Sequence, residues 1–369
     1  MKKLILLTTL FTLAFSTLNA TTIYIPGDYS TIQAGIDASE NGDTILVDPG
    51  TYIENINFNK EVTLTSKYIL SEDESYINQT ILDGNGNDVI TFDNMDNVGL
   101  IGLTIQNGNY GIKIIGTDLV YHENHNYDHL KIINNSDYGI HGHYFYQYCY
   151  LTNSTISGNG GGLYFNAAVR FNMDNIIVEN NDAIGIYAYQ TYPNIYNSIV
   201  RNNGSDGIYG NYWNPWTIRT TLVYNNGGSG ISVYSNTNTT STIHNCTVFG
   251  NGNHGIGGLV NIENSIVYNN FNSNLDGSVN VSYSDIGGGY SGTGNIDEDP
   301  QFSDIDNEDF TLQYTSPCID AGNPDLDGDD ITWESDIDDQ DPDSTRMDMG
   351  AYYYHQEEDV YGCTDPLAE

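Results

Sequence analysis

A glycine followed by an aliphatic residue returns at nearly constant spacing through the middle of the chain. It stands at Gly111, Gly139, Gly162, Gly185, Gly207, Gly230 and Gly255, at intervals of 28, 23, 23, 22, 23 and 25 residues. Four residues ahead of each comes Asn107, Asn135, Gly158, Asn181, Asn203, Asn226 or Asn251. A second asparagine column runs through Asn153, Asn175, Asn197, Asn245 and Asn264, with Thr220 in its one gap. Such a period means a short unit stacked on copies of itself, because no unit of this length buries an apolar side alone. The apolar runs inside the unit are short and rich in β-branched residues ("IIV", "SIV", "TLV", "CTV") and are cut by Asn-Gly and Gly-Ser turns. That is strand chemistry. A helical solenoid needs 3.6-residue apolar spacing and few glycines, whereas this chain has 39. A β-sandwich does not repeat identical residues at one period. Each repeat therefore reads as one circuit of a parallel β-helix, each strand pairing with its copy about 4.8 Å above. In that stack the Ile or Leu after each Gly points inward. The Gly takes a backbone angle that a Cβ would penalise, and the bend asparagines hydrogen-bond the copies above and below.

Near the start, "STIQAGIDASENGD" reads as a short amphipathic helix with Ser30 as N-cap, Ile32, Ala34 or Ile36 toward the core, and Gly42 as its stop. It would cover the open end of the stack, which is otherwise an exposed sheet edge. The whole stretch "TIYIPGDYSTIQAGIDASENGDTILVDPGTYIENINF" (22–58), with the repeats that follow, resembles the right-handed parallel β-helices of the pectate-lyase-like superfamily. The resemblance implies an all-β, right-handed, single-stranded parallel β-helix (solenoid) of about ten coils over residues 21–290 with a short N-terminal capping helix. "DPQF", "FTL", "SPCIDAG" and "STRMDMGAYYY" (299–354) resemble the segment that closes secreted bacterial β-helix proteins ahead of an anchor, here interrupted by an acidic insert. Residues 291–355 are thus expected to form a closing segment. In residues 356–369, "GCTDPLAE" resembles the opening of a further extracellular repeat whose second cysteine would follow.

The first 20 residues carry Lys2 and Lys3, an apolar run and Ala20 at the expected cleavage point, which reads as a bacterial secretory signal peptide. The run is short for a membrane span. The protein is therefore expected to be secreted or at the cell surface, monomeric, and not inserted in a membrane. Lys plus Arg number 10 against 49 acids, for a formal net charge of −39. Nucleic acid is excluded as a partner, since its phosphates need a basic face. Of the acids, 24 fall in the last 73 residues. Cys149, Cys246, Cys318 and Cys363 lie too far apart for a disulfide framework.

Catalytic patterns are sparse. A lyase needs a base and a cation to meet a uronate, and Lys131, Arg201 and Arg219 are scattered at different offsets. A β-helix hydrolase needs clustered carboxylates, whereas Asp174, Asp182 and Asp206 sit where turn residues belong. "YHENHNYDHLKI" (121–132) brings His122, His125 and His129 near Glu123 and Asp128, in no known ligand spacing. "DLDGDDITWESD" alternates Asp325, Asp327, Asp329 and Asp336, oxygen ligands suited to structural Ca²⁺, although Gly328 is misplaced for an EF-hand.

One outward surface stands out. If Ile208 points in, Tyr209 and Asn211 point out. The same offsets give His141 and His143, Tyr164 and Asn166, Tyr187 and Tyr189, and Ser232 and Tyr234. "NYWNPWT" adds Tyr212, Trp213 and Trp216 beside them. The carbohydrate-binding set read from this pattern is Tyr164, Tyr187, Tyr189, Tyr209, Asn211, Tyr212, Trp213, Trp216 and Tyr234, an aromatic platform for a polysaccharide or cell-surface glycan. A purely structural tyrosine ladder explains the same pattern. The reading is a non-catalytic, adhesive or glycan-binding β-helix with no catalytic residues assigned. The alternative is a polysaccharide lyase or glycoside hydrolase acting on a neutral or weakly charged polysaccharide.

Overall fold

The computed structural model describes residues 20–93, 95–116, 121–143, 146–166, 170–212, 215–235 and 239–356, without the side chains of 121–123 and 146–147. The leader-like start, Trp213 and Cys363 lie outside the described residues. Each coil contributes three short strands, as in Arg170–Asp174, Ile177–Glu179 and Ile186–Tyr189. Each strand pairs in parallel with its counterparts one coil away, giving a first, a second and a third sheet that wrap one core. The second sheet has 11 strands, one coil more than the repeat count suggests. Among the described residues no helix is long and apolar enough to cross a membrane.

Three columns fill the interior. Ile112, Ile140, Leu163, Ile186, Ile208, Ile231 and Ile256, each following its glycine, are fully buried on the third sheet. Ile132, Ile156, Val178, Val200, Val223 and Val248 line the second sheet, and Leu151, Met173, Ile195, Ile218 and Ile243 line the first. The glycines serve differently from the expectation. Gly111, Gly139, Gly162, Gly185, Gly207, Gly230 and Gly255 are not in the left-handed region. Instead a Cβ on Gly185 would stand 2.6 Å from the carbonyl oxygen of Gly207 in the next coil, and the other members meet similar obstructions. Close approach between coils, rather than an unusual φ, requires glycine there.

Left-handed backbone falls on the asparagine column. Asn153, Asn175, Asn197, Asn245 and Asn264, with Thr220, have φ between 48° and 53° at the bend from the first to the second sheet. Asparagine tolerates this conformation better than most residues with a Cβ. At the bend toward the third sheet a buried amide ladder forms. Asn135 Nδ2 donates to Asn159 Oδ1 at 2.9 Å, and the pattern continues through Asn181, Asn203, Asn226, Asn251 and Asn270. The slot assigned to Gly158 is filled by Asn159, because this coil is one residue shorter between ladder and glycine. Asn107 lies outside the ladder and donates to Asp83 instead, while Gly108 N donates to Asn135 Oδ1 at 2.9 Å.

The N-terminal end is covered by the helix Ile32–Ala38, whose N-cap is Thr31 rather than Ser30; Thr31 Oγ1 accepts from Ala34 N at 3.2 Å. The Glu54 carboxylate accepts from Ile32 N and Gln33 N, each at 3.1 Å. The helix closes at Ser39, ahead of Gly42, and buries Ile32, Gly35 and Ile36, leaving Ala34 half-buried. The C-terminal segment does not only extend the stack. Its antiparallel pair Phe302–Asp304 and Asp309–Leu312 returns to the outer side of the second sheet. There Phe302, Phe310, Leu312, Cys318 and Met349 pack on Leu222, Tyr224, Phe249 and Ile266 in a second apolar core.

Candidate functional site

On the third sheet, alternation places two rows of side chains outside the core. The first row runs Thr91, Lys113, His141, Tyr164, Tyr187, Tyr209 and Ser232, register partners from coil to coil. The second runs Ile115, His143, Asn166, Tyr189, Asn211 and Tyr234. Stacking follows the strand spacing. The rings of His141 and Tyr164 lie 4.8 Å apart and 2° from parallel, those of Tyr164 and Tyr187 4.8 Å and 5°, and those of Tyr187 and Tyr209 5.6 Å and 9°. The run breaks at its far end, where Tyr234 tilts 51° from Tyr209. Tyr164, Tyr187, Tyr189, Tyr209, Asn211 and Tyr234 are therefore brought together as expected.

The arrangement changes what this face offers. Stacked in this way, the inner rings cover one another's faces and present their edges and hydroxyls. Tyr164 Oη accepts from Asn166 Nδ2 at 3.4 Å, so hydroxyl and amide alternate across the two rows. Tyr212, with φ of 78°, stands at the turn beyond the strand and packs on Tyr189 at 5.3 Å, beside the rows. Trp216 is only 3% exposed and belongs to the core, a correction to its place on the platform. The cause is Gly210: where the neighbouring coils carry Ala188 and Val233, this inward position has no side chain, and the indole fills the space. A Cβ on Gly210 would lie 2.6 Å from Trp216 Cε2.

At the N-terminal end of the first row the chemistry becomes denser. Lys113 Nζ meets Asp88 at 2.7 Å and lies 5.3 Å from the centre of the Tyr110 ring. Tyr110 packs on His141 at 4.7 Å, and Tyr138 on Tyr164 at 5.1 Å. Burial and the nearby charge of His143 hold His141 below the usual histidine range, so its imidazole is neutral at pH 7. Its Nδ1 is buried without a hydrogen-bond partner. Burial, and then Asp137, push the Tyr110 phenol up to about 12. Burial works to raise Asp88, but its hydrogen bonds from Lys113 and Asn109 outweigh this and keep it ionised. Sequence reasoning did not single out Lys113. The signal was present in "Gly111-Ile112-Lys113", which carries the same offset as His141, Tyr164 and Tyr187.

The histidine-rich stretch does not converge. His125 is fully buried, with Nδ1 2.8 Å from Tyr127 Oη and Nε2 2.8 Å from the Met95 carbonyl. His129 pairs with Asp128 at 2.8 Å and packs on Tyr68, while the side chains of His122 and Glu123 lie outside the described residues. The acidic insert does gather carboxylates, in two overlapping triads. Asp327, Asp329 and Asp336 form one, and Asp325, Asp327 and Asp339 the other, with ligand oxygens within 4.8 Å in each. Asp339 lies beyond the twelve residues of the alternating motif, so the motif does not include it. Cys149, Cys246 and Cys318 are buried thiols.

Residues 88–241 match the family model described as "Right handed beta helix region". The chain is a right-handed parallel β-helix. The β-helix aligns with the crystal structure of pectate lyase Pel9A over 90% of this chain and 96% of that one, with a TM-score of 0.58 and 16% identity. It aligns with the A-module of the Azotobacter vinelandii mannuronan C-5 epimerase AlgE6 over 68% of this chain and 74% of that one, with a TM-score of 0.52 and 19% identity. At these identities the likeness is one of fold. No curated protein sequence matches the β-helix as a relative.

Proposed function

We propose that this β-helix acts on a polysaccharide laid across the outer rows of the third sheet, with Lys113, His141 and Tyr164 as its reacting centre. The observation that carries the reading is their register. A cation, a neutral imidazole and a phenol occupy one outward row on three consecutive coils, with imidazole and phenol stacked at 4.8 Å. These groups fit proton transfer beside a sugar carboxylate better than hydrolysis by a carboxyl pair. His141 is the base, Tyr164 the acid at the departing oxygen, and Lys113 the partner of the carboxylate. Asp88 already offsets Lys113, so the face suits a weakly charged chain with isolated uronate units better than a dense polyanion. The solved structures of similar fold are named for lyase and epimerase chemistry on pectate and mannuronan. Fold alone does not carry an activity, and the argument rests on the site. The proposal includes action outside the cell, with the leader-like residues 1–20 as its support.

The second reading is glycan binding without reaction. Its support is that the aromatic row continues through Tyr187 and Tyr209, past the titratable cluster. Incubation with neutral and uronate-bearing polysaccharides separates the two. The expected result is ultraviolet absorbance from unsaturated uronate ends, lost in His141→Ala with binding retained. Binding without any product leaves the non-catalytic reading. Neither binding nor product refutes both.

A further inference from the structure

The acidic insert resembles a ligand shell more than a solvated linker. Asp325 Oδ1 accepts from Gly328 N at 2.8 Å and its Oδ2 from Asp330 N at 3.1 Å, so the chain curls around this carboxylate. Asp327 accepts from Asp329 N at 3.1 Å. Asp339 reaches the same place from a short helical turn further along, and its Oδ1 accepts from Leu326 N. Its second oxygen is the telling atom: Asp339 is fully buried, and Oδ2 has no hydrogen-bond partner. One oxygen from each of Asp325, Asp327 and Asp339 lies within 4.8 Å of the other two. Among the described residues no Lys, Arg or His pairs with any of them. Three carboxylates held together, one with a dry and unsatisfied oxygen, are a costly arrangement unless a cation joins them.

We infer that Asp325, Asp327 and Asp339 bind a divalent cation of the calcium class. The three donors are all carboxylate oxygens, which suits a hard cation, and among the described residues no imidazole or thiolate joins the group to favour zinc or copper. The sequence alone pointed to Asp325, Asp327, Asp329 and Asp336 as one set. The structure moves the centre toward the buried Asp339, with Asp327 shared with the more exposed Asp329 and Asp336. The ion has a structural part to play. Asp339 ties to Leu326 across the loop, and Asn323, at the loop's entry, is held by Asn264 on the β-helix at 2.7 Å. A cation joining the loop's two limbs fixes the insert against the stack.

Trp333 lies within the same loop, its N donating to the Pro324 carbonyl at 2.9 Å, so it can sensitise a bound lanthanide. The test is terbium titration of the mature chain with excitation through tryptophan. The expected result is saturable emission, displaced by excess Ca²⁺ and abolished in Asp327→Asn. In Asp339→Asn the affinity should fall roughly tenfold or more, with the β-rich circular dichroism spectrum unchanged. Because Asp339→Asn touches a buried group, the exposed Asp327→Asn variant is the deciding one. Absence of sensitised emission, or emission that Asp327→Asn leaves unchanged, overturns the inference.

Discussion

Replacing one rung of the buried amide ladder tests the fold where it is most repetitive. Asn203 is 2% exposed. Its Nδ2 donates to Asn226 Oδ1 at 2.9 Å and to the Val178 carbonyl at 3.1 Å. Its Oδ1 accepts from Asn181 Nδ2 at 2.9 Å and from Asn181 N at 3.2 Å. In Asn203→Ala some partners keep an alternative. Asn226 Oδ1 still receives Asn203 N at 3.1 Å, and Asn181 Nδ2 still reaches the Ile156 carbonyl at 3.2 Å. Asn181 N loses its side-chain partner inside the core, whereas the Val178 carbonyl stays in the parallel ladder with the next coil. One unsatisfied buried group costs about 1–3 kcal/mol, so the variant should lose about that much. For a cooperative unit of this size that is roughly a 1–4 °C fall in Tm. Asn211→Ala, in the same coil but on the outer surface, is the control and should stay within about 0.5 kcal/mol. Urea denaturation followed by circular dichroism reads both. Proteolysis should also reveal loosening in the adjoining coils, since each coil is stabilised by its neighbours. An Asn203→Ala variant as stable as its Asn211→Ala control would refute the claim that the ladder holds the stack.

Two pH effects follow from buried groups, with opposite signs. Burial raises Asp285 to about 6, so the folded protein favours its protonated form and loses stability as pH climbs from about 4 to about 6. Asp285→Asn should therefore gain relative to the parent across that window and hold its advantage above it, read as the difference between two denaturation series. His141 is depressed from 6.5 by burial and by His143, so the folded state resists its protonation and loses stability as pH falls below that value. The ring-proton resonance of His141 should titrate with a midpoint below 6.5, and any turnover that uses it as a base should fall along the same acid limb; a midpoint above 6.5 contradicts this.

The architecture was legible because stacking writes itself into the chain as a period. Ile208 could be placed inside and Tyr209 outside from alternation alone, and both positions hold. Details that depend on a neighbouring coil were harder to read. The repeated glycine looked like a demand on φ, whereas the constraint is the carbonyl of the coil above, a contact between residues 22 or more positions apart. Trp216 beside a tyrosine row looked like part of a platform, and only the missing side chain at Gly210 explains its turn inward. Lys113 is legible by its offset from Gly111, but the groups that gather around it, Asp88 and Tyr110, come from the neighbouring coil and from the turn before its strand and share no offset with it. Asp339 carries no local pattern at all and joins its triad through the folding of the loop.

Stacking also limits how the tyrosine row can meet a sugar. In an isolated tyrosine both faces are open to the C–H bonds of a pyranose. Here Tyr187 has Tyr164 on one side at 4.8 Å and Tyr209 on the other at 5.6 Å, so both faces are taken. What remains for a ligand is the ring edge and the hydroxyl. Tyr187→Phe keeps both stacks and removes only the hydroxyl, so stability should be unchanged within about 0.5 kcal/mol. Tyr187→Ala removes both stacking partners and should cost about 1–3 kcal/mol, at 0.5–1.5 kcal/mol per aromatic pair. Glycan affinity separates the three remaining descriptions. If a glycan is bound by the hydroxyl edges, Tyr187→Phe weakens binding with no loss of stability. If sugars stack on ring faces, Tyr187→Phe binds as the parent does, which refutes recognition through the hydroxyl edges. If the row is only a structural ladder, the parent binds no glycan, and Tyr187→Ala is distinguished by its melting temperature alone.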